Sequence, residues 1–227
     1  DELGTNLFTA PVLSRITDQN VPNDFQFMQE RMKADPHSSF YYFLVYIYSK
    51  YFGGGKSLRF LSVFFSILSL IIFYKLCRLF LPKTASLYAL CFMAFQPFHI
   101  WYAQEARAYA GATFFALSMV FFFVQAVKTN KKIYWAGFIF TGLLSFLTSY
   151  YTIFLTLGMA AIFFFKRYRP CVYKWFFACL IIFSPALLFP AVSHHLHFVQ
   201  KDFWLLPPTP LYLLFTGMIF TLGYTAN

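Results

Sequence analysis

Long apolar stretches alternate with short polar segments along the chain. The stretches cover about 58–74, 84–103, 108–127, 133–165, 175–192 and 209–224. A helix that crosses a bilayer needs ~20 mostly apolar residues, with ~17–25 tolerated. Five of the stretches, of 16 to 20 residues, read as single spans. The sixth, 133–165, is 33 residues without a charge and is too long for one. It predicts a helical hairpin that turns at Thr148-Ser149-Tyr150-Tyr151-Thr152, each arm short enough to require local thinning of the bilayer or tilted neighbours. A single long tilted helix is the competing reading. With the hairpin, the pattern predicts an all-α polytopic bundle of about seven spans.

Residues 3–36 form the one long polar stretch, punctuated by Pro11, Pro22 and Pro36, with a surface helix predicted over 24–34. From Ser38 to Phe52 the chain is short for a span and rich in tyrosine, and it stops at Gly53-Gly54-Gly55. This segment reads as a helix lying in the outer membrane interface. Read as a span, it would reverse every loop that follows. The chain therefore divides into an outer loop with its interfacial helix, 1–57, and a transmembrane bundle, 58–227, both parts of one module.

Composition sharpens this picture. Hydrophobic residues make up 59% of the 227 positions and charged residues 11%, too few charges for a soluble globular surface and too much apolar content for a disordered chain. Ten of the eighteen basic residues fall in three short loops: Lys75, Arg78 and Lys83; Lys128, Lys131 and Lys132; Lys166, Arg167, Arg169 and Lys174. Basic loops stay on the cytoplasmic side, so these three are expected there, facing anionic lipid. All eight acids and all five histidines then fall on the other side, where the remaining eight basic residues balance the acids. The net charge of +10 is thus a sign of topology and not of nucleic-acid binding. Cys77, Cys91, Cys171 and Cys179 lie in spans or at their cytoplasmic ends, and free thiols are expected. The chain starts at Asp1 without Met and reads as a fragment of a longer protein.

Candidate chemistry gathers on the outer side. Between two spans lies Trp101-Tyr102-Ala103-Gln104-Glu105-Ala106-Arg107-Ala108-Tyr109. Ionisable groups at that depth are costly and usually functional. Glu105 and Arg107, two residues apart, would not face each other on a helix, so each is expected to have its own partner. His194, His195 and His197 lack the spacing of a zinc motif and read as solvated histidines near headgroups.

These residues resemble a known family, the lipid-linked-sugar glycosyltransferases of the GT-C type, which include protein O-mannosyltransferases and aminoarabinose transferases of lipid A. Asp1-Glu2 resembles the Asp-Glu pair that opens their first outer loop. His37-Ser38-Ser39-Phe40-Tyr41-Tyr42 resembles their His-Pro-Pro-Leu-Tyr-Tyr motif, with serines in place of both prolines. The 101–109 block is close to their Trp-Tyr-Ser-Gln-Glu-Ala-Arg-x-Tyr signature, the most specific of the matches. Phe203-Trp204-Leu205-Leu206-Pro207-Pro208-Thr209 resembles their Phe-Trp-Ile-Pro-Pro-Pro-Ser loop. The motifs follow the family order along nearly the whole chain. Further spans before Asp1 and after Asn227 are expected on the same grounds.

The resemblance implies an integral, multi-pass membrane enzyme whose site faces the extracytoplasmic side. It would move a sugar from a polyprenyl-phosphate donor to a glycan, protein or lipid acceptor by direct, inverting displacement. Asp1 is the implied base, with Glu2 holding metal or acceptor. His37 stands where the aminoarabinose transferases carry a phosphate-binding lysine. Arg59 and Arg107 are candidates for the phosphate, and Tyr102 and Gln104 for donor contacts. Glu105 is a candidate for a divalent cation, with Glu2, or for the sugar, and nothing in the sequence sets the identity of the cation. Two other classes compete: a secondary transporter, against which the uncharged span interiors and the absence of an inverted repeat count, and a non-catalytic assembly subunit with the same fold.

Overall fold

The computed structural model describes residues 39–52 and 55–188. Those residues fold as eight α-helices with three short 3₁₀ turns and no strand. The helices are α1 (Ser39–Phe52), α2 (Arg59–Cys77), α3 (Lys83–Ala94), α4 (Pro97–Gln104), α5 (Tyr109–Thr129), α6 (Lys132–Thr148), α7 (Thr152–Met159) and α8 (Val172–Leu188). The all-α fold class is as expected. The two helices long and apolar enough to cross a membrane are α2 and α5. At 1.5 Å per residue they span roughly 28 and 32 Å. The expected segments after 188, and the surface helix over 24–34, lie outside the described residues.

The stretch expected as one span over 84–103 is two helices. Pro97 sits in the first turn of α4, where its missing N–H costs nothing. It cannot donate to the carbonyl of Met93, and the N–H of Gln96 bonds there instead, at 3.3 Å. The residue before a proline is pushed to extended backbone, and Gln96 has ψ 128°. The helix therefore stops and restarts at 95–97. The 133–165 stretch is a hairpin as expected, with α6 ending at Thr148 and α7 starting at Thr152. Its second arm is the shorter, because α7 tightens into a 3₁₀ turn over Ala160–Phe164.

The bundle centres on α5, which packs most extensively against α6 on one side and α2 on the other, while α8 packs on α6. The larger core joins Met119, Phe123 and Val127 of α5, Trp135 and Phe138 of α6, and Ala178 and Ile182 of α8. Close approach depends on two glycines of α6. A Cβ at Gly137 would lie 2.6 Å from the Phe122 ring, and one at Gly142 would lie 2.6 Å from Ile182 Cδ1. Small residues let apolar helices meet where water gives no driving force. Large apolar side chains such as Phe64, Ile67, Phe154, Phe177 and Leu180 point outward, as they do when the solvent is lipid.

Most of the buried hydroxyls are satisfied locally, Ser118 Oγ being an exception. Ser69, Thr141, Thr148 and Thr156 each donate to the carbonyl four residues back, at 2.7–2.9 Å, which removes most of the cost of burying them. Ser145 and Thr152 hydrogen-bond to each other at 2.8 Å across the hairpin.

The three basic loops meet at one end of the bundle. Lys128 Nζ donates to the Leu79 carbonyl at 3.0 Å and lies 4.2 Å from the centre of the Phe80 ring. Asn130 ends α5 in a left-handed conformation, φ 55°, which asparagine tolerates. Its Oδ1 accepts a hydrogen bond from Lys174 Nζ at 2.7 Å. All four cysteines are free thiols.

Candidate functional site

At the opposite end, a small apolar cluster gathers the segments that carry the candidate residues. Tyr41 and Val45 of α1, Leu58 just before α2, and Ala106 between α4 and α5 are buried against one another. Tyr41 is 1% exposed and Ala106 4%. The Tyr41 hydroxyl pairs with Ser62 Oγ of α2 at 3.3 Å. Burial of Ala106 sets the turn between α4 and α5, so its two neighbours, Glu105 and Arg107, are carried on either side of a fixed point. Burial of Leu58 places Arg59, the first residue of α2, at the same end.

Glu105 follows the last residue of α4 and has extended backbone, φ −88° and ψ 133°. It is the sole carboxylate among the described residues. The indole Nε1–H of Trp101, one helical turn earlier, donates to Glu105 Oε1 at 2.8 Å. Arg107 is half-buried and donates to the Tyr109 hydroxyl at 3.5 Å, a long bond. Glu105 and Arg107 thus have different partners. Tyr102 lies between the two halves of this arrangement, its ring 4.6 Å from that of Tyr109 and 5.7 Å from that of Phe98. Gln104, the last residue of α4, and Arg59 are exposed.

Five of the residues singled out from sequence, Arg59, Tyr102, Gln104, Glu105 and Arg107, are thereby brought to one end of the bundle. Asp1, Glu2 and His37 lie outside the described residues, as does the histidine group at 194–197. Two participants were not anticipated. Trp101 donates to Glu105, and Tyr109 is one of the partners of Arg107. Both were visible as residues of the same block, and the four-residue spacing of Trp101 and Glu105 is the one that brings side chains together on a helix.

The arrangement offers an anion-attracting guanidinium, a carboxylate held by a neutral donor, and an aromatic surface. It does not by itself offer a metal centre. Among the described residues no three His, Cys, Asp or Glu side chains gather around a point. A divalent cation held at Glu105 would need water, substrate phosphate or a further carboxylate to complete its oxygen shell.

A protein-family model described as dolichyl-phosphate-mannose-protein mannosyltransferase matches residues 37–189. That match covers α1 to α8 and includes the whole turn that carries Glu105 and Arg107. Comparison with curated proteins and with solved structures gives no match.

Proposed function

Because the chain belongs to the dolichyl-phosphate-mannose-protein mannosyltransferase family, we propose that it is an integral-membrane glycosyltransferase with a polyprenyl-phosphate sugar as donor. Transfer takes place at the extracytoplasmic face, on an acceptor hydroxyl of a protein, glycan or lipid. The observation that carries the reading is the turn fixed by Ala106. It puts a carboxylate and a guanidinium at the end of the bundle opposite the ten clustered cations, within the part of the chain that the family shares.

The reaction follows from the chemistry of the donor. The acceptor oxygen attacks the anomeric carbon from the face opposite the phosphate. The bond from that carbon to the phosphate oxygen breaks, the oxygen keeps the electron pair, and the configuration inverts. The acceptor proton passes to a carboxylate, for which Asp1 is the assignment. The departing lipid phosphate gains charge, and preformed cationic donors stabilise that charge. Arg107 and Arg59 fill this role, with His37 beside them. Glu105 engages the sugar or acceptor hydroxyls. Glu2 and Glu105 together would be the ligands of a divalent cation. Tyr102 and Gln104 line the donor path.

The test is the Asp1→Asn variant of the intact protein. A general base contributes typically ~10²–10⁴-fold, and the isosteric amide cannot take a proton. Transfer is expected to fall by that amount while donor binding and folding are retained. Near-normal turnover would remove Asp1 from the role and pass it to Glu2 or Glu105.

A further inference from the structure

We propose that Trp101 is the positioning residue for Glu105, setting where that carboxylate points during transfer. The inference rests on the functional reading above and adds to it a residue with no assigned role. Glu105 stands just beyond the C-terminal end of α4, with its backbone already out of the helix. A helix C-terminus presents unpaired carbonyls and disfavours a nearby negative charge, so the backbone of α4 does nothing to hold the side chain. Three free torsions would let the carboxylate sweep a wide arc.

The indole N–H of Trp101 removes that freedom. It donates to Oε1 at 2.8 Å, the distance of a charge-assisted bond. Among the described residues, it is the hydrogen-bond partner of this carboxylate. The donor is itself rigid, since indole turns on two torsions only. Oε1 thereby accepts a bond that sets the direction of the carboxylate, and Oε2 meets no donor among the described residues. Trp101 is 56% exposed, so its ring is not a core element whose loss would unfold the bundle. A merely interfacial anchor would need the ring but not the N–H, and this distinction can be measured.

The experiment replaces Trp101 in the intact protein with 3-benzothienylalanine, which keeps the shape of the ring and carries sulfur where indole has N–H. Transfer is measured with dolichyl-phosphate mannose in proteoliposomes, alongside Glu105→Gln and the doubly altered protein. Loss of a hydrogen bond to a charged group predicts a roughly 10- to 100-fold fall in kcat with little change in KM. The doubly altered protein should be no slower than Glu105→Gln alone, because Trp101 acts through Glu105. Wild-type turnover with the sulfur analogue, or losses that multiply, would overturn the inference while leaving Glu105 in the site. Full activity of Glu105→Gln would overturn both. A readout independent of turnover is the indole ¹⁵N–H resonance of Trp101. It should move on Glu105→Gln, and an unmoved resonance would refute the pairing even if no donor supports transfer.

Discussion

Glu105 and Arg107 stand two residues apart and bond to different neighbours, one to Trp101 and the other to Tyr109. Their contributions should therefore separate. Arg107→Ala removes a guanidinium that can bind phosphate through two parallel bonds. Donor KM is expected to rise roughly 10- to 100-fold, with kcat changed less. Arg107→Lys should recover only part of the loss, because an ammonium is a point charge without the fork. Glu105→Gln should do the reverse, lowering kcat about 10-fold or more while donor KM stays near its original value. Steady-state kinetics on the three variants checks this, and equal KM effects from Arg107 and Glu105 would contradict separate roles. Separate partners were expected in sequence from the spacing of an i, i+2 pair on a helix, but residues 105–108 are a non-helical turn, so the outcome agrees and the premise does not. The role of Trp101 was not legible. An exposed aromatic at a membrane boundary looks the same whether it anchors the protein or holds a carboxylate.

The helices follow from the spacing of charges and from a few small or cyclic residues. The turn at 148–152 was legible because 33 uncharged residues exceed one span and their middle is polar. The break at 95–97 was missed because apolar composition runs through it unchanged. Its signal was Pro97 alone, which removes a donor and forces Gln96 out of the helical region. The glycines of α6 offer a test of packing. At Gly137 an added Cβ meets Cγ, Cδ1 and Cε1 of Phe122 within 2.8 Å, so the whole ring must swing. At Gly142 the nearest atom is the terminal Cδ1 of Ile182, a smaller adjustment. Overpacking costs typically ~1–3 kcal/mol, against a gain of ~1 kcal/mol from replacing glycine with alanine in a helix. Gly137→Ala is expected to destabilise the bundle by ~1 kcal/mol, and Gly142→Ala to lie near zero. Thermal unfolding in detergent measures both. A Gly137→Ala variant more stable than the parent would show that α5 and α6 are not in close contact there.

At the scale of the whole molecule, two ends differ in charge. One carries the three basic loops, joined by Lys128 to Leu79 and by Lys174 to Asn130. The other carries the turn around Ala106. The basic loops were legible as a group in sequence because membrane orientation follows lysine and arginine. Their physical meeting, through a carbonyl and an asparagine, was not, because neither partner is charged. If the basic end is cytoplasmic, a cysteine at Thr84 is closed to an impermeant thiol reagent applied from outside, and one at Ser57 is open to it. Outside labelling at Thr84 would invert the topology and move the site to the wrong face. The class of donor decides which reaction the protein performs. The most direct measurement incubates the purified, intact protein with a panel of polyprenyl-phosphate sugars and, in parallel, with the matching nucleotide sugars, and follows sugar transfer and release of free polyprenyl phosphate. Transfer from a polyprenyl-phosphate sugar, with one lipid phosphate released per sugar moved and none from the nucleotide sugars, is the predicted result. Transfer from a nucleotide sugar in the absence of lipid donor would contradict it.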